Sequence, residues 1–396
     1  MSGLRFDGWI PYRTFWQGAE PGVEWLYLGA KPFADPFFDE TISREALTPF
    51  NSLFRFRTPL ALLADWHAAS PGLPPAGFIF HLSRCGSTLI TRMLAALPEY
   101  LVLSEPGVLD CMLRAHLTAP AAPIGQRAAW LQWLLGALAQ ARTGRERRLF
   151  VKLDPRNIAE LPLLAHAFPQ TPWILVYRDP VEVLVSNLRS RARFLAPGIL
   201  PADFTGLDPS QAAAMEEDEY AARVLGAVAA TAARHAAASS SALLIEYTQL
   251  PAAVEDLIAP HFGLQFTPAQ AMQAAEAARA DAKHPSRSFS PDSDAKRREA
   301  SPRVRELAER WIAPHHTRLE ELRRDALRLC PPSGFPAFRR LVAGDPALLA
   351  RLSGLDREAF CRAALHAAAE AGIALTRDGL EQALAAALAE RAQRLL

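Results

Sequence analysis

The sequence predicts an α/β fold: a central parallel sheet flanked by helices, followed by a small all-helical C-terminal domain. Three observations predict it. From Gly77 onward, short apolar runs alternate with helical stretches, the pattern of βαβ units. The segment CPPSGFP at 330–336 reads as a linker, and beyond it some sixty residues carry an Ala/Leu-rich helical pattern without aromatic strands. Half of the 396 residues are hydrophobic and 21% are charged, enough apolar chain for one large core and a smaller one.

The elements follow in order. Residues 1–75 carry Trp9, Trp16, Trp25, Phe33, Phe37 and Phe38 among many Gly and Pro, a texture of short strands and turns rather than long helices. This region is expected to pack beside an acceptor cleft. The strand runs GFIFHLS, YLVLSE, RLFVKLD, PWILVYRD and ALLIEY (242–247) are separated by helical stretches, among them STLITRMLAAL, a segment from Pro162 to Phe168, and the Ala-rich 209–238. A further helix starts near Pro251. Residues 281–301 are polar, Ser/Pro-broken and charged, which predicts a loop ordered by a ligand, and a charged helix to about Arg328 closes the domain. The expected domains are 1–75, 76–330 and 331–396.

Composition excludes several function classes. A net charge of +1 lacks the excess of Lys and Arg that nucleic acid or an acidic membrane surface requires, so any anion site is local. The first residues show no basic head followed by an apolar run, and no later run is long enough to span a bilayer, so a cytoplasmic location is expected. Cys85, Cys111, Cys330 and Cys361 form no CxxC pair, and the Cys111/His116 and Cys361/His366 spacings cannot complete a tetrahedral zinc site. All four read as free thiols, and no metal is expected.

Two motifs carry chemistry. The run from Phe78 to Leu89, FIFHLSRCGSTL, is an apolar strand, a short turn and a helix start, whose amides can wrap an anion beside the fixed charge of Arg84. The alternative is an ordinary strand-to-helix turn capped by Ser87. The loop lacks the GxxxxGK[ST] pattern of nucleotide kinases, because Gly86 itself precedes Ser87. In the second motif, YRDPVEVLVS at 177–186, Arg178 ends a strand, Pro180 opens a helix, and Ser186 lies eight residues beyond Arg178, so the two can clamp a second phosphate. The alternative is Arg178 paired with Asp179 at the sheet edge.

Through SRCGSTL and YRDPVEVLVS, in this order and with this alternation between them, the chain resembles the P-loop sulfotransferase superfamily over roughly 77–325. The resemblance implies a P-loop-type sheet and 3′-phosphoadenosine 5′-phosphosulfate as co-substrate. The loop residues Arg84, Cys85, Gly86, Ser87, Thr88 and Leu89 would hold the donor's 5′ end, and Arg178 and Ser186 its 3′-phosphate. The acceptor the resemblance implies is a hydroxyl, on a small molecule or on a peptide or tyrosine. Cytosolic members carry a loop Lys and a KTH run. Here Arg84 stands in the loop, as in tyrosylprotein and some bacterial members, and Val151-Lys152-Leu153-Asp154-Pro155 keeps the Lys but lacks the His. The catalytic residues implied are Glu105 as base, nineteen residues beyond Gly86, with Lys152 and Arg84 neutralising the leaving phosphate. Glu105 could instead cap the helix after Pro106, His81 could be a satisfied core histidine or a weaker base, and Asp154 and Asp110 are further carboxylates. Glu246-Tyr247-Thr248-Gln249-Leu250 resembles the family's turn that places a Tyr near adenine. Lys283, Arg287, Lys296 and Arg297 lie where the family closes basic residues over the nucleotide. The rival readings are an atypical P-loop kinase and a non-catalytic nucleotide-binding module with a peptide-recognition tail.

The tail, through Asp345-Pro346, the turn at Ala371–Ile373 and Thr376 before its last helix, resembles the leader-peptide-like domain associated with nitrogen-fixation genes and ribosomally made peptide precursors. That likeness implies a peptide-pathway partner bound through the tail. The alternative is a helical packing appendage.

Overall fold

The computed structural model describes residues 6–239, 241–279, 293–329 and 334–393. The chain divides into two compact units, Met1–Leu319 and Glu320–Leu396.

The first unit is built on a five-stranded parallel sheet. Its strands are β4 (Pro75–His81), β5 (Tyr100–Ser104), β6 (Arg148–Lys152), β7 (Trp173–Tyr177) and β8 (Ala242–Glu246), in the order β5-β6-β4-β7-β8. Helices cover both faces, so the strands are near-continuous apolar runs rather than alternating ones. Phe150, Ile79, Ile174, Val176 and Ile245 are fully buried against Ile90 and Leu94 of the helix Ser87–Ala95 and against Phe262. Truncating Phe150 to Ala is expected to cost about 3 to 5 kcal/mol, the usual price of such a cavity. Because all five strands are parallel, their carboxyl ends share one edge of the sheet. Register aligns these ends: Ser104 lies opposite Lys152, Ile79 opposite Lys152, His81 opposite Val176, and Tyr177 opposite Glu246. Strand order reverses around β4, and such a switch point opens a crevice beyond the carboxyl ends.

The N-terminal region forms a separate antiparallel sheet, β1 (Trp9–Gln17), β2 (Glu20–Tyr27) and β3 (Phe56–Pro59), with short helices Phe38–Ala46, Pro49–Leu53 and Leu62–Ala69. The aromatic residues make its core. Phe6 stacks on the fully buried Trp25 at 4.3 Å, Trp25 stacks on Phe56, and the Trp25 indole donates to Thr58 Oγ1 (2.9 Å). Thr14 on β1 donates to Val108 O (3.3 Å) in the helix Gly107–Leu113, which follows β5 and so brings this sheet to the carboxyl edge.

Of the polar segment 281–301, the part from Ser293 to Glu299 is helical rather than a loop. Lys283 and Arg287 lie outside the described residues, as does Cys330, while Cys85, Cys111 and Cys361 are free thiols. The second unit contains helices Gly334–Gly344, Pro346–Leu352, Arg357–Glu370 and Arg377–Gln393 around Phe338, Leu348, Leu352, Ala364 and Leu380. Asp345 and Asp356 cap two of these helices with their carboxylates, and Thr376 Oγ1 accepts from Gly379 N (3.1 Å). Among the described residues no helix is long and apolar enough to cross a membrane.

Candidate active site

The loop after β4 is built from left-handed backbone. Ser83 (φ 68°), Arg84 (φ 52°) and Gly86 (φ 86°) all lie in the region that favours glycine. Each non-glycine residue held there stores about 1 to 3 kcal/mol of strain, a cost that clusters at functional sites. Such a path turns successive amides into one concavity, a fixed anion cradle, at the positive end of the helix Ser87–Ala95. Ser87 does not cap that helix: the N-cap is Gly86 and no side-chain cap is present, so the capped-turn alternative is not what forms. A Cβ on Gly86 would lie 2.7 Å from Leu250 Cδ1 and 3.0 Å from Tyr247 Cδ2, which is why the residue is glycine. Cys85 is fully buried, its thiol donates to Val176 O (3.0 Å), and burial pushes its pKa up to about 12. It anchors the loop to β7 as an unreactive thiol. Arg84 turns its guanidinium toward the end of the helix Pro180–Arg189, donating to Ser190 O and to Ser190 Oγ (2.9 Å).

Each parallel strand delivers a polar side chain at its carboxyl end, and the strand order sets their sequence in space: Glu105 after β5, Lys152 on β6, His81 on β4, Arg178 after β7 and Tyr247 after β8. Lys152 has no exposed surface, and its ammonium meets Glu105 Oε1 at 2.8 Å, Thr88 Oγ1 and Ser104 Oγ at 3.3 Å each, and the Phe37 ring at 4.5 Å. Glu105 is itself left-handed (φ 52°) and sits 3.2 Å from His81 Nε2. Ser83 N donates to His81 Nδ1 (3.2 Å), which leaves the imidazole proton on Nε2, facing the carboxylate. Burial raises the Glu105 pKa, but the Lys152 charge and the His81 hydrogen bond outweigh it and hold the carboxyl well below its usual range.

Two further carboxylates stand nearby in contrasting states. Asp110 is spent on Arg156, Arg114 (3.3 Å) and Asn157 Nδ2 (2.8 Å). Asp154 caps the short helix Pro155–Glu160 through Oδ1, which accepts from Arg156 N (3.1 Å). Burial pushes its pKa up to about 6; Arg156 opposes this, while the charges of Glu105 and Asp110 add to it.

On the other side of β4, Arg178 is 4% exposed and donates to Glu182 Oε2 (2.5 Å), Ser293 Oγ (3.0 Å) and Arg84 O (3.4 Å), with its guanidinium 3.8 Å from the Tyr247 ring. Its acidic partner is therefore Glu182, one helical turn on, and not Asp179, which caps the helix Pro180–Arg189. Arg297 pairs with Glu182 Oε1 (2.8 Å) and Asp179.

A cleft of about 1140 Å³ joins these groups. Arg84 to Leu89, Glu105, Arg178, Ser186, Tyr247 and Lys296 line it, together with His81 and Asp154. Lys152 lies beneath the loop, and Arg297 reaches the lining residue Arg178 through Glu182, two ion pairs away. The lining also includes Asp110, already a candidate carboxylate, and Phe37, Asp39 and Tyr12 to Thr14 of the N-terminal region with Arg114 and Arg156, none of which any motif signalled. The sequence reading missed Glu182; its four-residue spacing from Arg178 is the signal that could have found it. Among the described residues no group of three or more His, Cys, Asp or Glu is placed to hold a metal ion.

Residues 75–268, just under half of the chain, match a family model described as "Sulfotransferase family". No curated protein matches the chain. Among solved structures, the chain is similar to the sulfotransferase domain of the Synechococcus PCC 7002 olefin synthase (19% identity, 60% of this chain and 94% of that one, TM-score 0.36). It is likewise similar to a sulfotransferase from Alicyclobacillus acidocaldarius (17%, 63% and 96%, 0.37). A third is a Mycobacterium avium sulfotransferase (13%, 64% and 81%, 0.40). At TM-scores this low, these likenesses carry no argument of their own. The chain's similarity to the sulfotransferase family thus rests on residues 75–268, the segment that holds every strand-end residue of the cleft from His81 to Tyr247.

Proposed function

We propose that the protein transfers a sulfuryl group from 3′-phosphoadenosine 5′-phosphosulfate to a hydroxyl acceptor, a small molecule or a peptide. The observation that carries the reading is the left-handed loop at a helix N-terminus with a fully buried ammonium, Lys152, bonded to its Thr88. That is a fixed cationic cradle, and it suits a doubly anionic phosphosulfate. The family match over residues 75–268 supports the same reading.

In this reading the donor, when bound, supplies an electrophilic sulfur and a phosphate leaving group. The amides from Arg84 to Leu89 hold its 5′ end, and Lys152 and Arg84 neutralise charge that grows toward the transition state, an electrostatic contribution that needs no reorganisation. Arg178 and Ser186 hold the 3′-phosphate, Tyr247 lies beside the nucleoside, and Lys296 and Arg297, on the helix Ser293–Glu299, cover that end. Glu105 stands where the resemblance implies a base. Its pairing with Lys152 and His81 keeps it ionised, which makes it a weak proton acceptor and a strong anchor for Lys152. The tail, with its own capped helices and core, is read as a tethered recognition element for a peptide-pathway partner.

The test is release of adenosine 3′,5′-bisphosphate from the donor in the presence of alcohols and phenols. The reading expects release that Lys152→Met abolishes. Release that is unaffected by Lys152→Met would sink it.

A further inference from the structure

In the sulfuryl-transfer reading the donor-holding groups stand at the ends of β4, β7 and β8, with Lys152 reaching in from β6, which leaves the acceptor an approach over the ends of β5 and β6, where Glu105, Asp110 and Asp154 are found. These three carboxylates differ in how they are occupied. Asp110 is consumed by two arginines and an asparagine, and Glu105 by Lys152 and His81. Asp154 commits Oδ1 to Arg156 N and Nε (3.1 and 3.3 Å), while its Oδ2 has no hydrogen bond among the described residues. Its side chain is 18% exposed, largely buried yet on the cleft wall, and Pro155 at the first position of the following helix fixes its backbone.

We propose that Asp154 is the general base, its Oδ2 taking the proton of the acceptor hydroxyl. This inference rests on the sulfuryl-transfer reading. In the step, the acceptor oxygen forms a bond to sulfur as its proton passes to Asp154. The bond between sulfur and the bridging oxygen breaks, and its electron pair stays on the departing phosphate beside the cradle amides and Lys152. Glu105 is then a positioning residue, acting through Lys152. The environments agree with this division. Lys152 and His81 hold Glu105 far below the pH at which a base works, whereas burial, with Glu105 and Asp110 adding and Arg156 opposing, brings Asp154 up to about 6. Two carboxylates whose surroundings push them apart in this way take different roles.

The test uses the full chain, the phosphosulfate donor, and phenol and 4-nitrophenol as acceptors between about pH 5 and 9. Asn also caps helices, so Asp154→Asn keeps the local fold. The expected result is a loss of about 100-fold or more in turnover with phenol, under about 10-fold with the more acidic 4-nitrophenol, and disappearance of the acid limb of the wild-type profile near pH 6. Glu105→Gln should lower turnover equally for both acceptors and keep that limb, moved to somewhat lower pH because one of the charges raising Asp154 is gone. Wild-type turnover in Asp154→Asn, equal losses for both phenols, or loss of the limb in Glu105→Gln would each overturn the assignment. Thermal stabilisation by adenosine 3′,5′-bisphosphate separates the two levels. If the wild type shows it and Asp154→Asn stays fully active, only the Asp154 assignment falls; if the wild type lacks it, the sulfuryl-transfer reading falls with it.

Discussion

Replacing Lys152 by Met removes the main charge that holds Glu105 ionised inside the sheet edge while keeping an unbranched apolar stem of similar length. The Lys152 side chain is fully buried and that of Glu105 is 23% exposed, so the pair is largely withdrawn from water. Breaking a buried pair by deleting one partner costs about 3 to 5 kcal/mol; the partial exposure of Glu105 points to the lower end, about 3. The two long hydrogen bonds to Thr88 and Ser104 add less than about 1 kcal/mol each. At about 1.5 °C per kcal/mol for a unit of this size, the melting temperature of the larger unit should fall by about 4 to 7 °C at neutral pH. The pH dependence has a definite sign. In the wild type the Glu105 pKa is depressed, so its contribution is present above the unfolded value of about 4.3 and lost as pH falls through the folded one. In the variant burial is opposed only by His81, the carboxyl takes up a proton more readily, and the deficit shrinks toward about pH 5. Lys152→Met/Glu105→Gln should recover most of the loss, because neither charge is left unpaired. Thermal unfolding of the four proteins at both pH values checks this. A deficit independent of pH, or a double variant no better than Lys152→Met, would refute the coupling.

Four more outcomes follow from the same geometry. Arg178→Ala should weaken adenosine 3′,5′-bisphosphate by about 1.5 to 3 kcal/mol while changing adenosine 5′-phosphate little, as calorimetry would read; equal losses would remove Arg178 from the 3′ end. Gly86→Ala forces a side chain into left-handed backbone, at about 1 to 2 kcal/mol, and against Leu250, so the chain should stay folded but lose at least about tenfold in bisphosphate affinity. Asp154→Asn should stabilise the protein. The raised folded pKa, about 6, makes the carboxylate a liability that grows as pH rises from about 4 to 6, so melts at pH 8 should show a gain on the order of 2 kcal/mol that is absent near pH 4. Ending the chain at Leu329 should leave donor binding and the melt of the first unit intact while raising the Michaelis constant for the native acceptor; an unchanged constant argues against recruitment by the tail.

What the sequence made legible was local. Continuous apolar runs announced buried parallel strands, and the turn SRCGST announced an anion loop, because both depend on residues adjacent in the chain. The resemblance put Glu105 and Lys152 in one site with His81 as a candidate, but the direct contacts of Glu105 with Lys152 and His81 were not legible. They depend on β6 lying between β5 and β4, and strand order is set by tertiary packing rather than by any spacing. For the same reason the opposed states of Glu105 and Asp154 could not be read, since each is fixed by charges contributed from other strands. The N-terminal texture announced strands, yet the helices Phe38–Ala46 and Leu62–Ala69 were hidden, because their aromatic and turn-forming neighbours mask the helical period. The left-handed backbone at Ser83, Arg84 and Glu105 left no signal, because none of these is glycine.

The central claim is a site for a 3′-phosphorylated adenosine phosphosulfate, and thermal unfolding with competing nucleotides tests it most directly. Adenosine 3′,5′-bisphosphate at about 100 times its dissociation constant should stabilise the folded chain by about 2.7 kcal/mol, adenosine 5′-phosphate at the same concentration far less, and ATP with magnesium not at all. Stabilisation by ATP with magnesium and none by the bisphosphate would contradict the account.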